Sequence, residues 1–294
     1  MRNSHLLTLA AAALFSTGGA AIKASSLTAS QISGLRSLIA AVALLALIPA
    51  ARRRPTGRML LVGTAQALTF ILYVHANRLT TAASAIFLQG TAPLFVLLLS
   101  PWLLNERPQR RDLAFMACIF VGAVAFFVGL QTPLETAPNP AAGNVLAALS
   151  GLTYALTILG LRWVQVQAKG SEGNEKEGEA GAAIATVACG NGIAFLLSLP
   201  TALPLDRVET ADWVLVIYLG VIQIGLAYVL LTRALERLRA LEISLLLLLE
   251  PVLNVLLAWW IHAEVPGPWA IGGGIAILVT TAAKSWVDAR DVSV

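Results

Sequence analysis

The sequence predicts an all-α polytopic membrane protein, ten transmembrane helices arranged as two inverted five-helix repeats. Three observations carry this reading. Of the 294 residues 57% are hydrophobic and only 12% charged, about half the charge of a soluble domain. Apolar stretches near twenty residues long recur along the chain, each enough to cross about 30 Å of hydrocarbon as a helix. The second half of the chain also echoes the first.

The predicted spans are 5–23, 30–50, 58–77, 83–104, 112–130, 142–164, 181–203, 212–232, 241–262 and 267–287. Arg2, followed by a short apolar core and small residues, has the form of a secretory signal. The repeat needs this stretch as a first span, which favours a retained helix. Most connections are short, as between antiparallel neighbours. The Pro- and Ala-rich segment 131–141 separates the halves, giving units 1–135 and 136–294. The polar, Gly-rich segment 166–180 reads as a mobile loop with no site of its own.

Charge sets the orientation. With the N-terminus inside, sixteen of the twenty Lys and Arg fall in cytoplasmic stretches, leaving Lys23, Arg36, Arg78 and Arg207. This bias puts both termini in the cytoplasm of a bacterial cell, with the chain in its inner membrane. The same distribution explains the net charge of +4 as topology, so no nucleic-acid partner is expected. The seven tryptophans, among them Trp102, Trp163, Trp260 and Trp286, fall near span ends as interfacial anchors. Cys118 and Cys189 lie in apolar spans and read as small hydrophobes.

The repeat is the strongest signal. Pro93 is followed by Trp102, Glu106 and Pro108 at offsets of 9, 13 and 15, and Pro251 by Trp260, Glu264 and Pro266 at the same offsets. One span earlier, Tyr73 and Arg78 parallel Tyr228 and Arg233; in the leading spans, Phe15 and Lys23 parallel Tyr154 and Arg162. Five spans is an odd number, so the second half enters the membrane inverted. In carriers of this architecture the site lies near the midplane between the halves, and exchanging their conformations gives alternating access.

With its paired Pro-to-Glu segments the chain resembles the EamA type of the drug/metabolite transporter superfamily over essentially its whole length. Within that branch it is similar to the YddG-type exporters of aromatic amino acids. The resemblance implies export of amino acids, aromatic ones foremost, or of similar small amphipathic metabolites. The superfamily also holds carriers of other metabolites and drugs.

Ionisable groups inside spans mark functional sites or paired contacts. Glu250, midway along the ninth span before the kinking Pro251, reads either as a proton or substrate-ammonium site or as a structural carboxylate. Asn254 shares its face. In the third span Gln66, Thr69, Tyr73 and Asn77 form a polar stripe that must line a cavity or bond another helix. His75 lies about half a turn aside and is assigned to the same cavity. The fourth span offers Ser84, Phe87, Thr91 and Phe95 on one face and Gln89 on another. Phe15 and Ser16, Tyr154 and Thr157, and Gln223 and Tyr228 complete the candidate lining. Arg36, about two turns inside the second span, either attracts a substrate carboxylate or snorkels to headgroups. Gly122, Gly129 and the glycines Gly272 to Gly274 read as close-packing or dimer-contact residues.

The histidines, His5, His75 and His262, have no metal-like spacing, and no Gly-rich phosphate loop is present. No metal, cofactor or ATP coupling is therefore expected, and a membrane enzyme is disfavoured for want of a catalytic cluster. The expected partners are a small-molecule substrate, the lipid bilayer and at most a second copy of the chain, as monomer or homodimer.

Overall fold

A computed structural model describes residues 2–103, eight positions between 114 and 124, and residues 135–168, 175–205, 208–247, 249–262 and 267–291. Most of the predicted fifth span lies outside these residues, as do Glu106, Pro108, Gly129, Arg207, Glu264 and Pro266. So do the side chains of His262 and Trp286.

The described elements are α1 (Arg2–Ala24), α2 (Ala29–Leu47), α3 (Gly57–Leu79), α4 (Ala82–Gln89), α5 (Ala92–Leu103) and α6 (Pro140–Ala168). They continue as α7 (Glu175–Ala202), α8 (Thr210–Tyr218), α9 (Ala227–Leu235), α10 (Ala240–Leu246), α11 (Leu249–His262) and α12 (Pro268–Asp291). A 3₁₀ turn, Pro49–Arg52, follows α2, and a π-helical stretch, Leu219–Leu226, joins α8 to α9. Among the described residues eight helices are long and apolar enough to cross a membrane, counting α4 with α5, α8 with α9, and α10 with α11.

Tight turns between spans are fixed by threonine caps. Thr28 accepts from the Gln31 amide while Gln31 Oε1 accepts from the Thr28 amide, a capping box that starts α2. Thr56 and Thr81 cap α3 and α4 in the same way. At the end of α2 the Arg52 guanidinium donates to the carbonyls of Leu45 and Ala46 at 2.7 and 2.8 Å, satisfying acceptors that the finished helix leaves open.

Packing repeats as the sequence does. α3 packs on α6 and α7, and the eighth span packs on α1 and α2. α4 and α5 pack on α6, and α10 and α11 pack on α1. Two contacts join equivalents, α2 with α7 and the fourth span with the ninth. In the latter, α4 meets α11 and α5 meets α10, so the first part of each span crosses the second part of the other. That antiparallel crossing is the inverted repeat in three dimensions. Trp102 and Trp260, equivalent by sequence, are equally exposed, at 80% and 81%. They stand on the outer surface with many exposed leucines, where lipid rather than water is the neighbour.

Four expectations are corrected. The fourth span is not one helix but two, broken between Gln89 and Ala92. The ninth is broken, not merely kinked, and the break lies before Pro251. The eighth carries the π stretch, which the hydrophobic pattern did not announce. The polar segment 166–180 is partly helical, since α6 runs to Ala168 and α7 starts at Glu175.

Candidate functional site

The two breaks have one cause. A proline inside a helix cannot donate to the carbonyl four residues back, and its ring crowds that carbonyl. For Pro93 that residue is Gln89, where α4 ends; for Pro251 it is Leu247, just past the end of α10. Side chains brace the first break. Thr91 Oγ1 donates to the Leu88 carbonyl at 2.7 Å, and Gln89 Nε2 donates to Ser150 Oγ of α6 at 2.6 Å. Gly151 lets α6 come close, because a Cβ there would stand 3.0 and 3.1 Å from the carbonyl oxygens of Leu88 and Gln89.

The breaks meet. A Cβ on Gly90 would lie 3.3 Å from Pro251 Cγ. Around this crossing is a cavity of about 20 Å³, room for little more than one water. Its lining is a set of repeat-equivalent pairs: Ile86 with Ser244, Gln89 with Leu247, Ala92 with Glu250, and Pro93 with Pro251. Tyr154 and Ile158 of α6 close it. The cavity therefore sits on the pseudo-two-fold axis, and Glu250 breaks its symmetry. Glu250 is the eleventh residue of the 22-residue span Ala240–Ile261, which places it near mid-span. It is 7% exposed and has no cationic partner among the described residues.

Beside the cavity lies an aromatic cluster. The Tyr228 ring stands edge-on to Phe15 and Phe70, with centroids 5.1 and 5.6 Å apart. Arg36 places its guanidinium carbon 5.4 Å from the Phe70 centroid and donates through Nη2 to the Phe70 carbonyl at 3.2 Å. Tyr154 lines the cavity together with Glu250, and Asn254, one turn beyond Glu250, reaches Tyr73.

The polar stripe of α3 is buried throughout, but it faces three neighbours. Thr69 Oγ1 stands 3.4 Å from Thr157 Oγ1 of α6, and the Tyr73 hydroxyl accepts from Asn254 Nδ2 of α11 at 3.4 Å. Gln66 faces α7, where a Cβ on Gly190 would meet its Oε1 at 2.6 Å. Asn77 lies beside Tyr73. Both polar atoms of Gln66 are buried without a hydrogen-bond partner among the described residues. His75 turns away, with Nδ1 2.8 Å from the Ile71 carbonyl and Nε2 3.4 Å from Ser30 Oγ of α2. Ser16 bonds within α1, to the Ala13 carbonyl, while Gln223 Nε2 donates to the Phe15 carbonyl at 3.3 Å. Phe87, expected to share a face with Thr91, instead meets α12, where a Cβ on Gly274 would be 2.5 Å from its ring.

Tyr73, Tyr154, Tyr228, Glu250, Asn254 and Phe15 are thus brought together, with Gln89 and Thr91 at the adjoining break. Sequence reading did not single out Phe70, an apolar residue whose only signal was its place one turn from Tyr73.

Discontinuous helices crossing at a buried carboxylate, on the axis of an inverted repeat, form the architecture of a secondary membrane transporter. The sequence profile of the EamA-like transporter family matches residues 2–128 and 141–284, one match per half, and the chain belongs to that family. Comparison with curated proteins gives no match. A solved structure described only as a crystal structure of a protein is similar, with a TM-score of 0.69 over 99% of both chains. At 17% identity that likeness shows the fold alone.

Proposed function

We propose that this transporter exports amino acids, aromatic ones foremost, from the cytoplasm of a bacterial cell by alternating access, with both termini inside. The observation that carries the reading is the crossing of the broken spans, where Glu250, a carboxylate without a cationic partner among the described residues, borders a cluster of aromatic rings. A carboxylate buried without a counter-charge is costly, and a cargo ammonium relieves that cost while aromatic faces bind a cation and pack an aromatic side chain. At about 20 Å³ the cavity is far below the roughly 300 Å³ of a ligand pocket, so loading requires units 1–135 and 136–294 to part.

Uptake of labelled phenylalanine, tyrosine and tryptophan by liposomes containing the purified protein tests this. The expected result is accumulation above that in empty vesicles, with Glu250→Gln about ten- to a hundredfold slower, the effect of losing a hydrogen bond to a charged group. No uptake of these three, with uptake of another metabolite class or a cationic drug, would overturn the cargo. Unchanged rates and an unchanged response to an imposed pH gradient in Glu250→Gln would remove Glu250 from the site.

A further inference from the structure

We infer that Arg36 is the carboxylate receptor of the transport site, so that the cargo is held at two poles, its carboxylate at Arg36 and its ammonium at Glu250. This rests on the amino-acid reading above and adds to it a residue and a required substrate group.

Arg36 points into the bundle. It lies seven residues into α2, about 10 Å from that end of the span, close enough for a long side chain to snorkel outward. It does not. Its guanidinium bonds the carbonyl of Phe70, nine residues and about 14 Å from the same end of the bundle measured along α3. The side chain is directed inward and is 2% exposed.

Its partners are too few for its chemistry. A guanidinium carries five N–H donors in a fork that matches a carboxylate. Arg36 uses one on a backbone carbonyl, holds its guanidinium over the Phe70 ring, and leaves Nε buried without a hydrogen-bond partner among the described residues. No carboxylate pairs with it among the described residues. Other charges at the span ends are satisfied. Asp212 accepts from Ser25 Oγ, the Ser26 amide and Ser26 Oγ at 2.6–2.8 Å, and Arg78 donates to the carbonyls of Ser25 and Leu27.

Arg36 and Glu250 are linked by their surroundings. Arg36 sits on Phe70, whose ring stands edge-on to Tyr228, while Glu250 shares its cavity with Tyr154 and lies one turn before Asn254, which bonds Tyr73. An α-amino acid carries the complementary charges, and an aromatic side chain matches the rings between. The neighbouring backbone is irregular too. The π stretch passes α2 here, with Gly220 so close that a Cβ would stand 2.7 Å from the Arg36 carbonyl oxygen, and such stretches concentrate at functional sites.

Competition against uptake by the reconstituted protein tests this with two matched pairs, L-phenylalanine and L-phenylalaninamide, and 3-phenylpropanoate and 3-phenylpropanamide. For the wild type each carboxylate is expected to compete at least about tenfold better than its amide. In Arg36→Gln that ratio falls to about one, and Arg36→Lys keeps the preference with about tenfold weaker competition, since an ammonium lacks the fork. Equal competition by acid and amide in the wild type would overturn the proposal. So would an unchanged ratio in an Arg36→Gln protein with the wild-type elution profile and melting temperature. Should that variant not fold, unchanged competition in Arg36→Lys overturns it instead. If amino acids are carried but the ratio ignores Arg36, this inference alone falls. If 3-phenylpropanoate is carried with the Arg36 dependence and no amino acid is, the amino-acid reading falls and the receptor stands.

Discussion

Glu250 and Arg36 are each buried without a counter-charge among the described residues, and a residue in that position works against the stability of its fold. Glu250→Gln should therefore leave the melting temperature of the purified protein equal or higher while slowing transport. A melting temperature lowered together with transport would mark the carboxylate as structural. Glu250 was visible in the sequence because an acid in the middle of an apolar span is conspicuous. Arg36 was equally visible but undecidable, since snorkelling and inward pointing differ only in which rotamers the neighbours permit. His75 shows the same limit: its place beside the stripe suggested the cavity, and Ser30 of α2 draws it aside. Which way a flexible polar side chain turns is decided by partners far away in the chain.

Among the elements, the broken spans matter most. Both prolines were legible, and so was their equivalence; the sequence did not say that they open full breaks rather than kinks. That outcome depends on support around the break, supplied for the fourth span by Thr91, by the Gln89–Ser150 bond and by the approach of α6 at Gly151. Pro251→Ala restores a backbone donor at a position where proline costs a continuous helix about 3 kcal/mol. The variant is expected to melt no lower than the wild type and to transport poorly; wild-type rates would show that the break is incidental. Gly151→Ala should act the other way on stability. Its new Cβ meets backbone, which cannot turn aside, and overpacking of this kind costs about 1–3 kcal/mol. Thermal unfolding in detergent measures it, and an unchanged melting temperature would mean that α6 does not hold the break.

On the scale of the whole molecule, equivalent cations tie helices together at the two ends of the bundle. Lys23 donates to the carbonyls of Thr80 and Thr136 at 3.2 and 2.7 Å, and Arg162, its counterpart, donates to the carbonyl of Leu235. Thr80 and Leu235 each stand two residues past the paired arginines Arg78 and Arg233. The sequence match of Phe15 and Lys23 with Tyr154 and Arg162 thus has a physical meaning: each cation ties the first helix of its half to the end of the third, on opposite faces. Lys23→Met is expected to favour opening on one face and Arg162→Met on the other. Labelling of a cysteine placed at Ile86 by an impermeant thiol reagent, from each side in turn, should shift in opposite directions for the two variants. The same shift in both would show that the latches are not equivalent.

Alternating access makes the crossing of the fourth and ninth spans a single site reached in turn from both faces. Its most direct test is a cysteine at Ser244, on the cavity wall, in a protein whose Cys118 and Cys189 have been replaced. With an impermeant thiol reagent, the account predicts labelling from either side of the membrane and slower labelling from both when phenylalanine is present. Labelling from one side only while phenylalanine is being transported, or rates from both sides that ignore the amino acid, would contradict it.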